Sequence, residues 1–214
     1  VLGTVIAIAI AILLNEIKVM TLKKTYQTII LLPYLISMVV VSYLVYALLS
    51  SESGFINLSI LRPLGKPEIA WYTEPKYWPA ILTIVNVWKG VGMGSMMYFA
   101  SLMGIDVSLY EAAKIDGASE LRQAVNITIP LLTPTILFLG TTTFITAMQV
   151  FDVVQVMTSG NNGTNVINLY IYQEAFVKSK AGRAAAASII LFVILLVCTL
   201  IQRRIAKGRE NAYV

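Results

Sequence analysis

Apolar positions along the chain gather into five long runs with almost no charge: residues 1–15, 25–51, 77–103 with Lys89 inside it, 123–151 and 184–202. A bilayer-crossing helix needs roughly 17–25 such residues, so each of the last four is long enough to span. The first gives a helix of only about 22 Å, short of the roughly 30 Å hydrocarbon core. It starts without Met and lacks the basic flank of a cleavable leader, so it reads as a spanning helix whose beginning lies upstream of Val1.

The segments between the runs differ in character. Residues 51–76 carry Gly54, Pro63, Gly65, Pro67 and Pro75 and predict an irregular external loop, with Trp71, Tyr72, Tyr77 and Trp78 suited to the headgroup interface. Residues 152–183 hold a turn-prone tract at 159–163 and then a partly apolar stretch at 166–177, which predicts a helix on or in the external interface. Basic residues set the orientation. Residues 15–25, 104–128 and the C-terminal tail carry nine Lys and Arg, against six in residues 51–76 and 152–183. Short basic loops stay cytoplasmic, so the C-terminus is expected inside and Val1 outside. A cytoplasmic start then requires one further helix upstream, making six spans of which five are visible.

Composition narrows the chemistry. Charged residues make up 13% of the 214 and hydrophobic ones 57%, with mean hydropathy +0.77, whereas a soluble domain runs near about 25% charged. There is no His, and the single Cys198 lies in an apolar run, which excludes histidine-based triads, histidine metal sites and an intrachain disulfide. The net charge of +5 comes from short loops and the cluster Arg203, Arg204, Lys207 and Arg209, a pattern that suits lipid headgroups better than nucleic acid.

The loop at residues 104–128 breaks the charge rule, with two basic residues against Asp106, Glu111, Asp116 and Glu120. Ser108-Leu109-Tyr110-Glu111 fits a capping box and predicts a short helix starting at Ser108. Asp116-Gly117 interrupts it, and Glu120 suits the first turn of a second helix. Ala112, Ala113, Gly117 and Ala118 are small enough for another protein's backbone to approach closely. Pro130 and Pro134 mark the first turns of the next membrane helix or a bend on its entry.

Glu111-Ala112-Ala113, three residues, Gly117, nine residues, Ile127, one residue and Ile129-Pro130 together resemble the cytoplasmic signature of permease subunits of binding-protein-dependent ATP-binding-cassette importers, with Ile129 in place of the usual Leu. The resemblance extends over nearly the whole chain and is nearest the carbohydrate, maltose-type branch. Residues 11–15, Leu32-Pro33, residues 54–57, Tyr110, residues 114–118, 130–132, 149–152 and 170–176 carry it. Two tracts depart from that pattern: Gly160-Asn161-Asn162 replaces a Gly-Gly-Pro, and residues 101–106 replace Gly-Leu-x-x-Ile-Pro, which leans towards oligosaccharides or polysaccharide fragments.

The resemblance implies an all-α integral membrane fold, the type I importer permease bundle, as a single domain over residues 1–214 with the ATPase-docking loop at 104–128. Tyr110, Glu111, Ala112, Ala113, Asp116, Gly117 and Ala118 would dock the ATPase. The implied partners are a second permease subunit, an ATPase dimer that binds ATP and Mg, an extracytoplasmic binding protein, a carbohydrate and the lipid bilayer, with no cofactor in this chain and no nucleic acid. The inner membrane of a bacterium is the implied location.

Further signals bear on the solute's route. No Gly-x-x-x-x-Gly-Lys-Ser/Thr loop exists, so nucleotide is not bound here by that motif. Gly90, Gly92 and Gly94 read as close helix packing rather than a dinucleotide fingerprint. Lys89 costs about 2.5–3.5 kcal/mol inside a span and, with Asn86, either faces a cavity, snorkels or pairs with the second permease. Thr146, Gln149 and Asp152, three apart, suggest a polar stripe on one helix face towards the pore, although Asp152 also suits the external water boundary. Tyr43 and Tyr46 suit sugar stacking or packing. An ion-coupled carrier needs intramembrane carboxylates, which the spans lack. A membrane-embedded enzyme lacks both His and paired carboxylates, and a permease for a non-sugar solute stays open.

Overall fold

The structure, a computed structural model, describes the backbone of residues 1–210 and side chains through residue 204. Of the predicted basic cluster, Arg203 and Arg204 are exposed, while the side chains of Lys207 and Arg209 lie outside the described residues. Every regular element among the described residues is helical.

Helix α1 (Leu2–Glu16) covers the first apolar run. The run predicted as one span over 25–51 is instead two helices, α2 (Met20–Leu35) and α3 (Met38–Leu49). Two features explain the break. Pro33 removes an N–H from the last turn of α2, and Ser37, in extended conformation, accepts the Val40 N–H on its hydroxyl at 3.3 Å and caps a new helix. A π-helical turn (Ile56–Leu61) and a 3-10 turn (Pro75–Tyr77) lead to α4 (Trp78–Leu102). Then follow α5 (Val107–Ile115), α6 (Glu120–Gln123), a π turn (Ala124–Thr128) and α7 (Ile129–Met148). Helices α8 (Asp152–Met157) and α9 (Ile167–Tyr172), with a π turn (Gln173–Val177) that continues α9, precede α10 (Ala181–Glu210).

Three helical stretches, Pro75–Leu102, Glu120–Met157 and Ala181–Arg204, are long and apolar enough to cross a membrane, and the broken α2–α3 pair makes a fourth if counted as one span. Helix α1 is apolar but shorter. On α10, Ile189, Phe192 and Leu200 are all more than half exposed, a side chain pattern for lipid rather than water.

Pro130 falls in the first turn of α7, as its position suggested, and Pro134 lies inside the same helix. The helical path already begins at Glu120, and just before Pro130 the Ile129 N–H reaches five residues back to the Ala124 carbonyl. That wider π turn makes room where the proline ring would crowd a normal helical turn.

The described chain divides into two compact units, each discontinuous in sequence: Val1–Tyr34, Val87–Ile145 and Val197–Val214 in one, Leu35–Asn86 and Thr146–Leu196 in the other. In the first, Ala7, Ala11 and Leu14 of α1 pack with Tyr98, Phe99 and Leu102 of α4 and Leu132 of α7. The predicted small-residue packing holds at two glycines: a Cβ on Gly92 would fall on the Ile30 carbonyl, and one on Gly94 would stand 3.3 Å from Ala7 Cβ. In the second unit, Val41 and Val45 of α3 pack with Trp78, Val85, Val153, Val154, Met157 and Leu169.

The segment at 51–76 is more ordered than an irregular loop. Asn57, fully buried, donates to the Ser51 and Ile69 carbonyls (3.3 and 2.9 Å) and accepts from the Ile69 N–H and Trp71 Nε1 (3.3 and 3.1 Å). Trp78, assigned by sequence to the headgroup interface, is fully buried, and Tyr72 bridges it to Tyr46 through edge-on ring contacts of 5.0 and 5.5 Å. Tyr46 thus has a packing role, while Tyr43 is 71% exposed.

Candidate functional site: an exposed helical elbow

Helix α5 begins one residue earlier than predicted. Asp106 is its N-cap and accepts the Ser108 N–H at 3.0 Å, so the box between Ser108 and Glu111 does not form: Ser108 already lies in the first helical turn. Hydrogen bonding from the Ser108 backbone, then from its side chain, holds the Asp106 carboxyl below the usual carboxylate range. The helix ends where Asp116-Gly117 predicted. Gly117 takes φ +73°, a left-handed conformation that costs a residue with a Cβ strain, and the Ala118 N–H closes back on the Ala113 carbonyl at 2.9 Å. Ser119 then caps α6 by accepting the Arg122 N–H at 3.4 Å, with Glu120 in its first turn as expected.

Two inward contacts fix the elbow. Buried Gln123 donates to the Ala118 carbonyl at 2.8 Å, and the Tyr110 and Thr128 hydroxyls share a hydrogen bond of 2.9 Å, tying α5 to the π turn below it. Glu111, Ala112, Asp116 and Gly117 remain exposed, with Ala113 and Ala118 half-buried. A Cβ on Gly117 would meet nothing within 4 Å, so its surroundings within this chain are open. Ala113, Asp116, Ala118, Arg122, Gln123, Asn126 and Ile127 line a concavity of about 280 Å³.

Beside the small residues that the sequence pattern marks, the elbow carries large apolar ones that it did not single out. Ile115 is 87% and Leu121 76% exposed, and they flank the turn. Their signal was legible as apolar residues among Asp, Glu, Lys and Arg.

The other candidates are dispersed. Asn86 is exposed and bonds the Leu82 carbonyl of its own helix at 2.9 Å. Lys89 Nζ donates to the Tyr34 carbonyl at 3.0 Å, at the C-terminal end of α2. Thr146, Gln149 and Asp152 are all exposed, but they do not share one helix face. Helix α7 ends at Met148, and Phe151 departs from helical geometry at φ −145°, ψ −59°. Asn168 donates to the Gln149 carbonyl at 2.6 Å within that gap, and Asp152 starts α8 by accepting the Val153 N–H at 2.8 Å. The alternation of polar residues ran straight through a break that Val150 and Phe151 do not announce.

In the π turn before α10, Glu174 is buried and bonds Lys178 at 2.7 Å, with Arg183 4.0 Å away. The hydrogen bond from Lys178 holds its carboxyl below the usual range despite burial.

Apolar helices, several of them long enough to cross a membrane, joined in one place by an exposed and sharply turned helix pair, define a membrane-embedded subunit. The chain belongs to the family described as binding-protein-dependent transport system inner membrane component, which matches residues 3–211. It is therefore a transport subunit of the inner membrane, not an enzyme. It is 34% identical over 212 residues to the lactose transport system permease protein LacF of Rhizobium radiobacter, covering 96% of this chain and 70% of that one. A bacterial transporter that imports the acidic polysaccharide alginate contains a chain 31% identical with TM-score 0.90, covering 96% of this chain and 73% of that one. A bacterial alginate transporter in complex with an alginate pentasaccharide-bound periplasmic protein gives 32% identity, TM-score 0.89 and the same coverage. The sulfoquinovosyl glycerol transport system permease protein SmoG of Agrobacterium fabrum is 34% identical over 161 residues, covering 74% of this chain and 52% of that one.

Proposed function

We propose that this chain forms one half of the membrane pathway of an ATP-driven carbohydrate importer. An extracytoplasmic binding protein delivers the sugar, a second permease supplies the other half, and an ATPase dimer holding ATP and Mg drives the cycle. The C-terminus and the loop at residues 104–128 face the cytoplasm, in keeping with the excess of basic residues on that side. Asn86, Lys89, Thr146, Gln149 and Asp152 contribute to the solute's route: no polar side chain gains by facing lipid.

The observation that carries this reading is the elbow. Tyr110 and Gln123 anchor it inwards, while Glu111, Ala112, Ile115, Gly117 and Leu121 stay exposed and Ala113 and Ala118 half so. Ala112, Ala113 and Ala118 keep the surface low around the turn, and Ile115 and Leu121 rise from it as apolar knobs for the ATPase. Because α6, the π turn and α7 form one helical path, a displacement of the elbow passes directly into a membrane helix. Lactose and alginate transport in similar chains favour carbohydrate as the solute.

Gly117→Leu tests this. It forces a branched side chain into a left-handed position and adds bulk at the contact, each worth about 1–3 kcal/mol. The expected result is loss of ATPase co-purification and of sugar uptake in a permease that still reaches the membrane. Normal values of both would sink the docking role.

A further inference from the structure

The membrane-length stretch Ala181–Arg204 begins beside a concentration of positive charge: residues 166–183 carry Lys178, Lys180 and Arg183 against a single acidic residue, Glu174. Ser179 takes φ +53°, a left-handed conformation that costs a residue with a Cβ strain, and the Lys180 N–H closes back on the Glu174 carbonyl at 2.7 Å. That reversal gathers the basic residues around one buried carboxylate. Lys178 Nζ bonds Glu174 Oε1 at 2.7 Å, and Arg183 Nη1 stands 4.0 Å from Oε2, near enough to be attracted and too far to bond. Lys180 adds to the attraction at longer range. Three cations face one anion, which leaves two positive charges in excess. Glu174 takes no hydrogen bond from the Arg183 guanidinium, whose planar fork of donors suits an oxyanion.

Apolar surface adjoins these charges. Phe176 and Val177 are more than two-thirds exposed, and Ile190, two turns along α10 on the face of Arg183, is more than half exposed. Positive heads at the end of an apolar span, with bare apolar side chains beside them, match a molecule that has an anionic head and a hydrocarbon tail.

We propose that Lys180 and Arg183, with Lys178 held by Glu174, bind the phosphate of an anionic phospholipid whose acyl chain lies on Phe176, Val177 and Ile190. The site depends only on α10 spanning the bilayer, whichever end faces the cytoplasm. The phosphate takes charge-assisted hydrogen bonds from the guanidinium and the ammonium groups and offsets their excess charge. A zwitterionic lipid brings an ammonium of its own towards the same cations and gains less, so the site selects for headgroup charge.

The test uses the complete transporter in proteoliposomes of phosphatidylethanolamine with phosphatidylglycerol as the minor component. A photo-crosslinking residue is placed at Phe176, and mass spectrometry identifies what it captures. Phosphatidylglycerol should be captured well above its share of the bilayer. Lys180→Gln with Arg183→Gln should lower that enrichment about fivefold or more, roughly the worth of one basic residue at a membrane surface. Arg203→Gln with Arg204→Gln, at the other end of α10, should leave it unchanged. All four side chains are exposed, and each variant is confirmed in the assembled transporter before illumination. Excess inorganic phosphate at constant ionic strength should not reduce the capture; a loss would mark a site for free anions and overturn the lipid proposal. Capture of the two lipids in the ratio of the bilayer overturns it too, since it shows apolar contact without recognition of the headgroup. So does capture of the second permease or the binding protein, which would make this surface a protein interface.

Discussion

The segment at residues 51–78 and the elbow at 106–123 both join membrane helices, and they are built in opposite ways. The elbow is local: Asp106 bonds two residues on, Ser119 three residues on, and the left-handed Gly117 makes the turn alone. Its apolar residues point outwards. The segment at 51–78 is held by long-range bonds, chiefly those of the buried Asn57 amide, whose partners are six, twelve and fourteen residues away, and one of its two tryptophans, Trp78, is sealed inside. The elbow leaves Ile115 and Leu121 uncovered while the segment at 51–78 buries Trp78, the contrast expected if the first meets another protein, as proposed above, and the second keeps its own shape.

Removing the hub should produce the largest effect. Asn57→Leu strands the Ser51 and Ile69 carbonyls, the Ile69 N–H and the Trp71 indole N–H, at a cost of about 3–5 kcal/mol. Melting of the detergent-solubilised transporter should fall sharply, while ATPase binding per folded permease stays normal. An unchanged melting temperature would mean that the segment is not held by Asn57.

A smaller effect is expected where the π turn at Gln173–Val177 leads into α10. Glu174 has its pKa lowered by Lys178, so its contribution is full above the ordinary carboxylate range and is lost as pH falls through its lowered value. Melting curves should therefore place Glu174→Gln below the native chain at pH 7, with the gap closing on acidification. A gap independent of pH would point to packing rather than charge.

The smallest effect belongs to the elbow's own caps. Ser119→Ala removes one exposed helix cap, about 1 kcal/mol of local stability, and should leave global melting almost unchanged while measurably weakening ATPase co-purification. Equal losses in both would erase the contrast between the two regions.

The same contrast explains what the sequence disclosed. The elbow's turn at Gly117 and its second helix at Glu120 were legible because turn and cap chemistry act over a few residues, and even the misplaced start moved only from Ser108 to Val107, with Asp106 as its cap. The apolar runs at 77–103 and 184–202 became α4 and α10 for an equally local reason. The Asn57 hub was hidden because no spacing rule announces partners so far along the chain. The gap at residues 149–151 was hidden too: Val150 and Phe151 continue an apolar pattern, and the Asn168 amide that meets the backbone there lies nineteen residues away. The break at Ser37 had a clue in Pro33, outweighed by the length of the apolar run around it.

The central claim is that the elbow meets the ATPase on the cytoplasmic face. The most direct measurement places a photo-crosslinking residue at Ile115 in the assembled transporter, with the same residue at Tyr43 as a control, and identifies what each captures. The account predicts that position 115 captures the ATPase subunit, with a yield that changes on nucleotide binding, and that position 43 does not. Capture of the extracytoplasmic binding protein from position 115, or of no subunit in any nucleotide state, would contradict it.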